Sequence, residues 1–279
     1  MGTAQTWDWK IAGYLFLAGT GAGAFLIAVG GNLAQAGAYQ ALAQAVAFLG
    51  VVLVGLGALL LIADLGYKLR FWRVMSNPTS LISIGSWLIA GFLLSGLAYG
   101  LWPGSKMLAW LGVVTAIGTA GYTGVLLGVV KARPFWNTPL LPVLFLVSSL
   151  STGIALVLIT ARWAVLPAAT WLAPSDLGLL VLEAVLVGFY LLIMAQSTVT
   201  AVRSAREVLW GRWRIWFWVG TVLIGLLLPL AILIWGGAGR WPVLAACLVL
   251  AGGACLRYWV LRAGARRPLP GEGWQDVLI

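Results

Sequence analysis

The chain has 279 residues, of which 62% are hydrophobic and only 9% charged, with a formal net charge of +10 and not one histidine. A soluble domain carries about a quarter of its residues charged, so composition excludes one and indicates an all-α integral membrane protein. The cations then act as an orientation signal, not a nucleic-acid surface, and the missing imidazole removes the usual axial ligand of a b-type haem.

Eight apolar stretches each meet the ~20 residues that a bilayer crossing needs. They are predicted at 11–31, 41–66, 80–101, 107–130, 140–161, 175–201, 214–236 and 241–262. Residues 1–10 hold Asp8 and a single cation, Lys10. The apolar run that follows is too long for the core of a signal peptide, so it reads as a retained first helix. Within it, Gly19, Gly21 and Gly23 lie mid-helix with no strand before them, which argues against a dinucleotide-binding loop. Gly19-x-x-x-Gly23 reads as a close helix-packing face. Asn77 and Pro78 suit the start of span three as N-cap and first-turn proline, and Pro134, Pro139 and Pro142 mark the turn between spans four and five. Trp7, Trp9, Trp72, Trp102, Trp136, Trp163, Trp210, Trp213, Trp216 and Trp218 cluster near span ends, where most should act as interfacial anchors. Cys247 and Cys255 lie in the last span without a C-x-x-C, so they read as packed thiols, and no metal site is expected.

The spans divide into two four-helix bundles, 1–138 and 139–279, with no clear repeat between them. Connections are short, so any catalytic domain must come from a partner chain. With eight spans both termini share one face. That face collects every cation except Lys106, Arg162 and Arg240, with Arg203, Arg206, Arg212, Arg214, Arg257 and Arg262 among those assigned to it. The positive-inside rule places that face, and both termini, in the cytoplasm. Part of it could equally dock an acidic partner.

Ionisable groups inside a bilayer are costly and mark candidate functional positions. Asp64 lies near the end of span two, where pairing with Lys68, Arg70 or Arg73 is the plain alternative to a functional role. Glu183 lies roughly 13 Å into span six at 1.5 Å per residue; it could be a neutral hydrogen-bonded carboxyl or a proton-relay group. Tyr122 is at similar depth in span four, where it could simply pack. Ser148, Ser149, Ser151 and Thr152 form a hydroxyl run on span five that could bond its own helix carbonyls or carry protons.

Several segments together resemble a known family. Ile62-Ala-Asp-Leu-Gly-Tyr-Lys-Leu-Arg-Phe-Trp-Arg73, Asn77-Pro-Thr-Ser80 and Gly85-Ser-Trp87 resemble the span-two-to-three signature of the polysulfide-reductase membrane anchors of NrfD type. So do Gly121-Tyr-Thr-Gly-Val-Leu-Leu127, Ala132-Arg-Pro-Phe-Trp-Asn137 and Leu141-Pro-Val-Leu-Phe145. Tyr14-Leu-Phe-Leu-Ala-Gly19 and Leu256-Arg-Tyr258 fit as well, so the resemblance spans nearly the whole chain. It implies a haem-free, eight-span subunit of a prokaryotic inner (cytoplasmic) membrane that exchanges electrons between quinone, either menaquinone or ubiquinone, and a ferredoxin-like iron–sulfur subunit. That partner is often joined to a molybdopterin catalytic subunit. The iron–sulfur clusters and molybdopterin would lie only in those partner subunits.

By this resemblance the head group sits between span one and the tyrosine of the Gly-Tyr-x-Gly segment, here Tyr122. Tyr14 stands where some relatives carry histidine, with no asparagine beside it. Tyr14, Tyr122, Asp64 and Gly19 are therefore the candidate quinone-binding residues. Arg70, Arg73, Lys131 and Arg133 are candidates for stabilising anionic forms or docking the partner. Asp64, Ser148, Ser149, Ser151, Glu183 and Arg162 form a candidate proton relay. The competing reading is a secondary transporter or ion-translocating protein, which buried Glu183 and the hydroxyl run would suit. Paired broken-helix signals expected of such a protein are missing from the sequence.

Overall fold

A computed structural model describes residues 8–64, 80–236 and 240–265. The described residues are all helical: α1 (Trp9–Ala34), α2 (Gln40–Asp64), α3 (Leu81–Leu101), α4 (Lys106–Gly128), α5 (Leu140–Trp163), α6 (Leu172–Ala195), α7 (Val199–Leu209), a π-helix π1 (Trp216–Leu227), α8 (Leu228–Trp235) and α9 (Trp241–Ala263). Eight units among them are long and apolar enough to cross a membrane, with π1 and α8 together forming the seventh. Arg70 and Arg73, with Lys68, Trp7, Trp72, Asn77, Pro78, Arg266 and Arg267, lie outside the described residues.

Spans six and seven differ most from the sequence reading. Span six ends at Ala195, not 201, because Gln196-Ser197-Thr198 breaks the helix and the Thr198 side chain accepts from the Ala201 N–H to start α7. The second half of α7 carries Arg203 and Arg206 over a buried side of Thr200, Ala201, Ser204, Ala205 and Val208, so it packs as an amphipathic helix. Span seven opens as a π-helix, a form rarely longer than one turn. Pro229, just past its end, has no N–H for an i−4 carbonyl and crowds the turn before it.

α1 is the axis of the molecule and packs against α2, α4, α5 and α9. In lipid, apolar side chains gain little from each other over acyl chains, so close backbone approach dominates helix packing. A Cβ on Gly23 would run into the Ser149 carbonyl, and one on Gly153 into the Gly23 backbone, so α1 and α5 touch main chain to main chain. On the other side of α1, a Cβ on Gly21 would lie 2.8 Å from the Gly50 carbonyl of α2. Contacts between the segments 1–138 and 139–279 run chiefly through α1–α5, α4–α5 and α1–α9.

The α4–α5 connection plugs one end of the bundle. Phe135 and Trp136 are fully buried. Trp136 Nε1 donates to the Val260 carbonyl at 2.7 Å, and the Tyr190 hydroxyl donates to the Phe135 carbonyl at 2.6 Å. Trp136 and Trp213 are thus core residues, not interfacial anchors, because their indoles find partners inside the fold, whereas Trp9, Trp102, Trp163, Trp210, Trp216 and Trp218 are exposed. At the opposite end α5 closes through Val165, held at φ 53°, with the Leu166 N–H donating to the Ala161 carbonyl at 2.9 Å. This six-to-one closure normally uses glycine in the left-handed position.

Candidate functional site

Three polar side chains lie at similar depth near the end of the bundle that carries α1's start and α9's end. Tyr14 lies five residues into α1, and Tyr122 and Arg257 each lie six residues before the ends of α4 and α9. At 1.5 Å per residue all three sit roughly 8–9 Å from those ends. Tyr14 is 0% exposed and its hydroxyl has no hydrogen-bond partner among the described residues, while Tyr122 is its electrostatic neighbour. The Tyr122 ring lies where a Cβ on Gly85 would be, so glycine in α3 is what lets the ring reach inward. Ser83, in the first turn of α3, is another fully buried hydroxyl without a partner among the described residues. Closer to the surface, Lys10 of α1 pairs with Asp64 of α2 at 3.5 Å, so Asp64's partner is on span one.

At the same depth lies a correction to the sequence reading. Arg257, which it counted among the cations of the terminal face, is 0% exposed and points into the bundle. Hydropathy sees how apolar α9 is but not which side of it faces inward. The Arg257 guanidinium donates to the Leu15 carbonyl at 3.2 Å, Ser148 Oγ at 3.0 Å, Ser149 Oγ at 3.1 Å and the Gly253 carbonyl at 3.0 Å. It also lies over the Phe16 and Phe145 rings at 5.8 and 5.5 Å, a favourable cation–π arrangement. Gly19, a candidate quinone contact, instead makes room here: a Cβ on it would meet Ser149 Oγ at 2.5 Å and Arg257 Nη2 at 3.0 Å.

The hydroxyl run on α5 divides its roles. Ser149 and Thr152 donate to the carbonyls of Phe145 and Ser148, one turn back. Ser148 and Ser151 reach across to other helices. Ser148, an acceptor for Arg257, also faces Glu183, which is 4% exposed on α6. Ser151 donates to Asp176 Oδ1 at 2.8 Å, and Asp176 Oδ2 is buried without a partner. Asp176 and Glu183 are seven residues apart on α6, two turns on one side of the helix. A polar file therefore runs from Arg257 through Ser148 to Glu183, and Ser151 with Asp176 continues it along α5 and α6 to within about 6 Å of the far end of α6.

The sequence reading missed Arg257 and Asp176. The spacing of Asp176 to Glu183 was the signal available for the second. Arg162, assigned to the relay, is exposed at the end of α5 and outside this file, and Lys131 is exposed on the terminal face. Arg133 is turned inward: it donates to the Gly264 carbonyl past the end of α9 and stacks on Trp136 with 4.6 Å to the ring centroid. Among the described residues no group of three or more His, Cys, Asp and Glu side chains could hold a metal ion.

The family model described as "Polysulphide reductase, NrfD" matches residues 1–268. The chain is 31% identical over 300 residues to Protein NrfD of Escherichia coli (strain K12), and 30% identical over 306 residues to the C chain of polysulfide reductase from Wolinella succinogenes. Each alignment covers 92% of this chain and 94% of the relative. The C subunit of selenate reductase from Mesobacillus selenatarsenatis is 27% identical, over 92% of this chain and 73% of that protein.

Proposed function

Since the chain belongs to the polysulphide reductase NrfD family, we propose that it is the quinone-reactive membrane subunit of a reductase complex, working without haem. The observation that carries this reading is the Tyr14 hydroxyl, fully buried beside Tyr122 and without a partner among the described residues. A buried donor left unpaired costs roughly 1–3 kcal/mol, and a quinone carbonyl would supply its missing acceptor. The bound quinone supplies two-electron, two-proton redox chemistry. Tyr14 and Tyr122 orient it by hydrogen bonds, and the Gly85 notch fixes where the Tyr122 ring can lie. Asp64, held by Lys10 near the surface, is placed to pass protons between water and the tyrosines.

The names of the relatives, components of polysulfide and selenate reductases, support assembly with a catalytic partner. In our reading a ferredoxin-like iron–sulfur subunit docks on the terminal face, where Lys131 is exposed, and the complex is completed by a molybdopterin subunit. The cation bias puts that face in the cytoplasm; a C-terminal reporter fusion that reads as external would overturn this placement.

Proton movement is the second part of the proposal. Ser148, Glu183, Ser151 and Asp176 offer alternating donors and acceptors across α5 and α6, with Arg257 and Ser149 at the quinone end. Asp176, not Arg162, would be the last group of the relay. Glu183→Gln should abolish proton translocation in reconstituted vesicles and leave electron transfer largely intact; loss of both would make Glu183 structural.

The reading as a whole is tested by purifying the chain in mild detergent and analysing co-purified proteins and extracted lipids. A bound quinone with an iron–sulfur partner is the expected result. A folded chain free of both would favour the transporter reading.

A further inference from the structure

We propose that the cleft between the end of α5 and the start of α9, on the face opposite the termini, binds an anionic phospholipid with Arg162 as its phosphate ligand. The cleft measures about 490 Å³, within the range of pockets that hold drug-sized ligands. Leu158, Leu166, Pro167, Pro242 and Val243 give it apolar walls, and among the described residues Arg162 is its one charged lining residue and no carboxylate lines it. Among the described residues Arg162 makes no ion pair. A cation beside apolar walls at the end of a membrane span matches a lipid's own layout, with phosphate at the interface and hydrocarbon below. The opposite wall is the first turn of α9, preceded by Arg240, so a second cation and the positive end of a helix dipole flank the same opening. Two of the three cations that the sequence places on this sparsely charged face thus border one cleft.

The cleft also bears on the residue that closes α5. Val165 holds a left-handed φ of 53°, unfavourable for a β-branched residue, yet it is 85% exposed and gains no packing in return. Its side chain lines the cleft, where a lipid acyl tail would cover it. A glycine would relieve the backbone and remove that wall.

The inference is independent of the quinone reading and is tested by lipid binding. The full chain is delipidated in detergent and offered phosphatidylglycerol and phosphatidylcholine with matched acyl tails, and the adducts are counted by native mass spectrometry. Preferential retention of phosphatidylglycerol is expected. It should fall roughly fivefold in Arg162→Gln, the factor one basic contact at a membrane surface carries, and survive largely in Arg162→Lys. Because Arg162 is exposed, both variants should fold. Unchanged preference in Arg162→Gln overturns the proposal. So does loss of the entire preference in the Arg206→Gln/Arg212→Gln double variant, which would place the lipid on the terminal face.

Discussion

Arg257 and Tyr14 are both polar, both 0% exposed, and buried at the same end of the bundle, but they are satisfied in opposite ways. Arg257 gives hydrogen bonds to four acceptors on α1, α5 and its own helix and lies over two aromatic rings. Tyr14 has an apolar seat for its ring and nothing for its hydroxyl. Burial alone therefore does not mark a site. A polar group whose valences are filled holds helices together, and one left open marks where a ligand is expected.

The sharpest way to break this comparison is Arg257→Met. Removing the guanidinium strands Ser148, Ser149, the Leu15 carbonyl and Glu183 inside the bundle, and should cost about 3–5 kcal/mol. Thermal unfolding in detergent should show the loss; a melting temperature equal to wild type would remove Arg257 from the structural account. Gly23→Ala comes next. Its methyl meets a backbone carbonyl that cannot rotate away, and overpacking of this kind costs about 1–3 kcal/mol, readable in the same melt. Val165→Gly should act in the opposite direction, raising stability by up to about 1 kcal/mol through relief of the left-handed valine. A fall instead would mean that the exposed side chain already makes contacts worth more than the strain.

Tyr14→Phe should have the smallest effect on the melt and a large one on binding. Deleting a hydroxyl that bonds to nothing leaves stability within a few tenths of a kcal/mol or improves it. Loss of the hydrogen bond proposed with quinone should weaken quinone binding about tenfold, measured by titration of the reconstituted protein. If stability collapses and binding is unchanged, the contrast with Arg257 fails.

Most of the fold was legible because a bilayer-length apolar run is a coarse signal, and each span was placed to within a few residues of its helix except at the end of α6. That boundary blurred because Gln196-Ser197-Thr198 is too short a polar gap to separate α6 from α7 in a hydropathy reading. The π-geometry of π1 left no trace beyond Pro229. The site was half legible. Tyr122, Asp64, Ser148, Ser151 and Glu183 were identifiable as polar groups within apolar runs, and Tyr14 only through the family resemblance. Asp176 was missed because the reading began span six at 175, which put the carboxylate at the membrane edge, whereas α6 begins at Leu172. Arg257 was missed because rotation about a helix axis is invisible when every side of the helix is apolar.

The reach of Arg257 also bears on how the protein is made. The Leu15 carbonyl it bonds lies 242 residues earlier in the chain, and Trp136 must likewise find Val260 across 124 residues. Both acceptor and donor leave the ribosome long before α9 does. Until the final span is inserted, the seam between α1 and α5 lacks its cation, and the α4–α5 plug has no carbonyl for its indole. A chain truncated before α9 would thus be left with its earliest helix unsealed, recognisable to the membrane's quality-control proteases as unfinished.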